Sequence, residues 1–207
     1  MSEERRMSRL PVAIPLYPVP LYQRVLGPDF DRLPVMVRAL HDVREKSTWT
    51  GRADVERGTS ILCRVLAVLA GLPPTGEDQP LTVTFTPDNG AEVWHRAFGT
   101  TVFRTRQSAG GQSPGNTSVI LETAGPPLLD LVRLHLKPYA SADGLSLDLI
   151  AMRIIGIPVP RFLVPSVVTR EYELDGRYRF EVEAEIKAWG RLVHYSGWLV
   201  PAPRTAL

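Results

Sequence analysis

Histidines, a cysteine and a serine beside a glycine are the residues of this chain best able to do chemistry unaided, so their spacing is the first test. His41, His95, His135 and His194 are scattered, with neither HxH nor HExxH spacing, and Cys63 is the single cysteine. That pattern predicts no metal site and excludes an internal disulfide framework. Ser196–Gly197 lacks the GxSxG elbow. His194, two residues away on the same predicted strand, would sit roughly 7 Å off, too far to serve as its base. Cys63 lies inside the apolar stretch TSILCRVLAVLAGL, where a packed thiol is expected rather than a nucleophile. His41 closes a predicted helix, a place that favours a cation. The catalytic candidates that remain are His194, Arg170 and His41, and none of them selects a reaction.

The last three strands offer a binding surface instead. Across Leu174–Asp175–Gly176, a two-residue turn would set Glu171 opposite Phe180 and put two acids on an aromatic face. A three-residue loop with Gly176 left-handed sets Glu171 opposite Arg179 and Glu173 opposite Arg177. Charge complementarity favours the second register, and a one-residue slip would invert every side chain. On that register Arg170 and Tyr172 face inward with Tyr178 and Phe180. Reading the next connection in the same way adds His194, Ser196 and Trp198. The predicted ligand-binding set is therefore Arg170, Tyr172, Tyr178, Phe180, His194, Ser196 and Trp198, a few polar groups converging on an apolar wall. Trp94, Arg96 and Phe98 share one side of another strand and read as an amphipathic strand with a stacked arginine, not as a single-stranded nucleic-acid platform.

Positioning these residues requires a sheet. Candidate strands are 49–57, 81–86, 92–98, 101–107, 117–123, 128–137, 145–155, 167–174, 177–186 and 191–200, several joined by short turns such as PDNG and LDG. The stretch SAGGQSPGN, residues 108–116, reads as a polar loop and not as a phosphate cradle. Helices are expected over 21–26, over about 31–43 with Leu33, Val37 and Leu40 on one stripe, and from Thr59 to Gly71. The last of these carries only Arg64 as a charge, and a helix apolar nearly all round should be wrapped by the sheet. The expected fold is α+β, a strongly curved antiparallel sheet or partial barrel around that buried helix, with further N-terminal helices. An irregular arm over 1–20, broken by Pro11, Pro15, Pro18 and Pro20, a domain over 21–200 and a tail over 201–207 complete the organisation. The proline-punctuated run Ile157–Pro165 is expected to cover the mouth of the sheet.

With 24 basic and 22 acidic side chains in 207 residues, net charge supplies no field for nucleic acid or membrane, and no apolar run reaches spanning length. Low cysteine usage fits a reducing compartment, and a cytoplasmic location is the default expectation.

The segments YQRVLGPDFDRLP, ALHD, VERG, GLPPTGED, VTFTPDNGAEVWHRAFG, GIPVPRFLVP, REYELDGRYRFEVE and HYSGWL, in this order from Tyr22 to Leu199, resemble the bacterial domain of unknown function family 4166. The resemblance implies relatives that occur alone or C-terminal to nicotinamide-dependent epimerase- or dehydrogenase-like domains. This chain has no GxGxxG and no room for such a unit. Residues 106–128, where it departs most from the family, are a candidate specificity segment. Two readings result. In the first, an apolar small molecule sits inside the curved sheet, held or converted by a cofactor-independent cyclase or isomerase, with no membrane insertion. In the second, a non-catalytic module works with a separate NAD(P)-dependent oxidoreductase. Oligomeric state is left open by both.

Overall fold

Period-two alternation of apolar residues along successive strands gives a sheet one buried face, and here the sheet curls until its first and last strands meet. The computed structural model describes residues 19–69, 71–113, 117–124 and 131–203. Its strands are β1 (Ser47–Arg57), β2 (Gly76–Asp88), β3 (Ala91–Phe98), β4 (Thr101–Ser113), β5 (Thr117–Ala124), β6 (Val132–Ser141), β7 (Gly144–Ile154), β8 (Ile157–Pro158), β9 (Ser166–Leu174), β10 (Arg177–Ile186) and β11 (Gly190–Pro201). Every pairing is antiparallel, in the order β6-β5-β4-β3-β2-β1-β11-β10-β9-β7, and β6 pairs again with β7. Ten strands thus form a closed barrel, and the short β8 is added to the end of β7. Closure removes the unpaired edges that an open sheet would expose. The predicted loop over 108–116 is largely strand, because β4 continues to Ser113.

The interior is built from alternate residues: Leu81, Val83 and Phe85 on β2, Leu145 and Leu147 on β7, Tyr178, Phe180 and Ala184 on β10, Val193 and Leu199 on β11. Gly197 breaks the β11 row for a steric reason. A Cβ there would lie 2.2 Å from the Arg52 carbonyl oxygen and 2.8 Å from Cζ of Phe180, whose ring fills the space that a side chain would take.

Short turns set the registers. Asn89–Gly90 and Asp175–Gly176 both have positive φ at both residues, the two-residue I′ geometry that suits the twist of a hairpin. Glu171 therefore pairs with Phe180 and Glu173 with Tyr178, which overturns the register expected from charge complementarity. At the next connection an irregularity between Ala184 and Glu185 places Ala184 opposite Val193 and Glu183 opposite His194. That shift turns His194, Ser196 and Trp198 to the outer face.

The two barrel ends are closed differently. At one end lie α1 (Leu21–Leu26), a 3₁₀ helix (Gly27–Arg32) and α2 (Val35–His41), with Pro34 dividing the single helix expected over 31–43. Leu21, Tyr22, Phe30, Leu33, Val37 and Leu40 of this group are fully buried. Glu173 accepts the Met36 backbone N–H at 2.9 Å, satisfying a donor at the start of α2. At the other end α3 (Ile61–Leu69) lies against β11 and β1. It is not wrapped by the sheet. Cys63 and Ala67, one turn apart, are buried, whereas Ile61 is 81% and Val68 65% exposed. The segment Pro73–Thr75 behind α3 is tied down by Arg57, whose Nε donates to the Pro73 carbonyl at 2.8 Å and whose backbone N–H donates to Thr75 Oγ1. The expected irregular arm falls on residues that, apart from 19–20, lie outside the described ones, as do the last four of the expected tail. Among the described residues, no helix is long and apolar enough to cross a membrane.

Gly197→Ala forces a Cβ into the β1 backbone, so its unfolding free energy in urea should fall by about 1–3 kcal/mol or more.

Candidate functional site

Because α3 stays outside, the barrel interior is not filled. A cavity of ≈ 230 Å³ runs through it, and a smaller one of ≈ 70 Å³ lies beside it, sharing Trp94, Arg96, Glu171, Val182 and Tyr195 as walls. The larger volume exceeds the roughly 150 Å³ that suffices for benzene in an apolar core. Toward the α3 end its wall is apolar, with Leu72, Val132, Met152, Leu149, Val167 and Leu192. Toward the α1–α2 end it is polar, with Tyr22, Arg96, Thr105, Gln107, Glu122 and Glu171.

Glu171 is the centre of the polar end. It is 7% exposed, on the inward row of β9, and borders both cavities. Its Oε2 lies 2.6 Å from Nε2 of His41, a fully buried imidazole delivered by the last residue of α2. Tyr178 faces this carboxyl, and after burial the Glu171 charge is the next cause that raises its pKa. The His41 ring packs on Tyr22 with centroids 3.8 Å apart, and Trp94 lies 5.7 Å from it. Among the described residues Nδ1 of His41 has no hydrogen-bond partner, so the Nε2 contact with Glu171 is the hydrogen bond that holds the ring. Burial costs were met here by a charge-assisted bond of short length. An imidazole and a carboxyl sharing a proton, with the carboxyl facing a cavity, can take a proton from a bound molecule or give one to it.

A second cluster surrounds Arg96. Its guanidinium stacks over Trp94 at 4.6 Å and Phe103 at 5.2 Å, donates to Thr105 Oγ1 at 2.7 Å and reaches Glu122 Oε1 at 3.4 Å. The stacked arginine expected from the sequence is present, with its charge inside the barrel. Nearby, the Tyr22 hydroxyl donates to Gln107 Oε1 at 2.9 Å. Glu92 accepts from Trp94 Nε1 at 3.1 Å and from the Leu21 backbone N–H at 3.2 Å. Burial raises the Glu92 pKa, opposed by the nearby His41 and by these two bonds.

Of the residues predicted to bind a ligand, Tyr178 and Phe180 lie on the inner wall. Arg170 is exposed and stacks outside on Tyr172. His194 reaches Glu181 at 3.2 Å on the outer face, and Trp198 lies under Arg177. Ser196 pairs with Glu181 beside them. The inward cluster expected from Arg170, Tyr172, His194, Ser196 and Trp198 is therefore corrected: with the register shifted by one, Glu171, Tyr195 and Thr169 take those places. Among the catalytic candidates, His41 alone belongs to the interior, whereas Arg170 and His194 do not. Arg96, Glu122, Gln107 and Glu171 were not singled out as site residues by sequence reasoning. The signal for Glu171 was the Asp-Gly turn itself. Among the described residues, no group of three His, Cys, Asp or Glu side chains could hold a metal ion.

Fold and site together define the class of this protein: a closed antiparallel barrel with an interior chamber, apolar toward one end and acid-lined toward the other. The chain belongs to the family described as a domain of unknown function, DUF4166, whose family model matches residues 33–199. No curated protein and no solved structure gives a match to the chain.

The buried phenols provide a pH test. Burial, with Glu171 as the next cause, pushes Tyr22 and Tyr178 well above the usual phenol value. Tyr195, partly buried at the cavity wall, is pushed by burial to about 12. Above the ordinary value of 10.0 the unfolded chain releases phenolic protons that the folded chain keeps. The stability these groups contribute is therefore complete below that value and is lost as pH rises toward the folded one. Unfolding free energy should fall between pH 10.0 and about 12, and Tyr195→Phe should make the fall shallower, measured by urea titration at each pH.

Proposed function

We propose that this barrel binds an apolar small molecule in its interior chamber and acts on it as a cofactor-independent isomerase or cyclase. The observation that carries the reading is the position of Glu171, which borders the open chamber while His41 holds its carboxyl from behind. The apolar wall supplies affinity through area removed from water, and the polar end orients the bound molecule. Glu171 is the group placed to exchange a proton with the ligand. His41, absent from the cavity wall, positions that carboxyl. A bound molecule enclosed by the wall is held in one conformation near one acid–base group, which is how a closed site promotes proton shifts and ring closures without a cofactor. The acids Glu92, Glu122 and Glu171 outnumber the one arginine at this end, so a ligand head that donates hydrogen bonds, a hydroxyl or an amine, suits it better than a carboxylate.

The alternative is a non-catalytic module acting with a separate NAD(P)-dependent oxidoreductase. It draws on Ile157 and Phe162, exposed at 70% and 74% where the Ile157–Pro165 run was expected to pack as a cover. Only Pro165 of that run borders the chamber. An interior left open counts against this alternative, which calls for a filled core.

Naphthalene and naphthol separate the two ends of the chamber. Both should bind once per chain, with naphthol preferred roughly tenfold through its bond to the Glu171 carboxylate. Glu171→Gln should erase most of the preference, and Val182→Phe, which puts a ring into the chamber wall, should weaken both. Titration calorimetry showing no binding of either compound to the wild-type barrel would remove the proposal.

A further inference from the structure

Exposed apolar side chains on this barrel are unevenly distributed. The α3 end carries the β1–α3–β2 connection, the β3–β4 turn, the β7–β9 connection and the β10–β11 turn, and β5 ends and β6 begins there, with residues 125–130 between them outside the described ones. Ile61, Val65 and Val68 of α3 are exposed there, as are Ile155, Ile157 and Phe162 between β7 and β9. Val102, at the start of β4, and Trp189, in the β10–β11 turn, are exposed at the same end. The opposite end exposes Val19, Val35, Tyr139 and Leu174. These segments adjoin one another around the chamber's mouth. The Cys63 thiol of α3 lies 3.4 Å from the Trp189 carbonyl oxygen, Lys187 and Phe162 border a common surface groove, and Leu72 and Pro165 line the chamber itself. The entrance to an apolar chamber is thus ringed by apolar side chains.

One of those side chains is kept at a conformational cost. Residues 155–156 form a two-residue turn between Ile154 and Ile157, with φ of 51° at Ile155 and 77° at Gly156. The other positive-φ residues besides glycine, Asp78, Asn89 and Asp175, are of the types that tolerate the left-handed region. A β-branched side chain does not, and Ile155 is 71% exposed, so packing within the barrel gives no reason for it. Its side chain is presented to whatever meets this end beyond the described residues.

Charge indicates what that is. Arg64, Arg153, Arg161 and Lys187 stand exposed among the apolar residues, against Glu77 and Glu185 on the same end. Arg191 is already engaged by Glu56 and Glu183. With Arg191 counted beside its partners Glu56 and Glu183, the cations named here exceed the acids by one, so what marks this end is cations set among apolar side chains and not a large net charge. Apolar side chains interspersed with arginine and lysine match an anionic lipid surface, where the first enter the headgroup region and the second meet phosphates. A folded protein covering all four segments would seal the mouth, whereas a fluid bilayer conforms to the ring and is itself a source of apolar molecules.

We infer that the α3 end is a docking face for an anionic phospholipid bilayer, which it enters shallowly through Ile155, Ile157, Phe162 and Trp189 without spanning it. The chamber then opens toward lipid, and an apolar molecule passes between bilayer and barrel without crossing water. This inference stands on the rim alone and holds whatever the chamber does with its contents.

Flotation of the full chain with vesicles of phosphatidylcholine containing phosphatidylglycerol tests it. The wild type should float with these vesicles and less with phosphatidylcholine alone. Brominated lipid should quench tryptophan emission in the wild type and not in Trp189→Phe. Ile157→Ser with Phe162→Ser should weaken vesicle affinity roughly tenfold or more, while naphthol binding in vesicle-free solution stays unchanged. Ile155→Asn should move two readouts in opposite directions, raising the thermal midpoint and lowering vesicle affinity. Absence of flotation overturns the inference. So does flotation that these variants leave unchanged, which is adsorption by charge alone. Self-association lost in the same variants without vesicle binding assigns the rim to a protein interface and overturns it equally.

Discussion

The Asp175–Gly176 turn is the constraint on which the site depends. A two-residue I′ connection allows one register between β9 and β10, and that register points Glu171 into the barrel. A carboxyl in that position needs a hydrogen-bonding contact, because an unpaired buried charge costs several kcal/mol. His41 supplies that contact from a helix 130 residues earlier in the chain. Meeting that demand draws α2 across the barrel end. Glu173, two residues further along the same strand, secures the start of the same helix through Met36. The plug at one end and the polar floor of the chamber are thus one construction, joined through two glutamates of one strand.

What that construction leaves open defines the rest. The N-terminal helices close their end with buried side chains, while among the described side chains of α3 only Cys63 and Ala67 are buried. The barrel is wide enough that its inward rows do not meet everywhere, and the unfilled volume lies between Glu171 and the α3 end. Polarity is graded along that axis. The acid-rich end sits behind the best-packed part of the protein and the apolar wall leads out to the least covered part. The outer faces of β9 to β11 take the residues that a one-residue difference in register would have put inside, with Arg170 on Tyr172, Arg177 on Trp198 and His194 beside Glu181.

Strand positions were legible in the sequence because a half-buried strand writes its period into hydrophobicity. The expected span 177–186 coincides with β10, and those of the other barrel strands differ mainly at their ends. Registers were not legible from charge. Pairing Glu171 with Arg179 satisfies a surface rule, but turn chemistry is local and was the stronger signal, since Asp tolerates positive φ and completes a two-residue hairpin. Nor does a strand pattern reveal that an acid facing inward has a distant histidine waiting for it. His41 appeared in the sequence only as the end of a helix. The apolar α3 misled for a related reason: apolarity on all sides demands cover but does not say that the chain's own sheet provides it.

The central claim is that the barrel interior is a ligand chamber and not an incompletely packed core. Native mass spectrometry of gently purified protein, followed by extraction and identification of whatever is released, tests this most directly. A stoichiometric apolar passenger carrying a hydroxyl or amine, retained less when Val182 is replaced by phenylalanine, is the predicted result. A clean mass for the bare chain, persisting after incubation with extract of the native host, would contradict it.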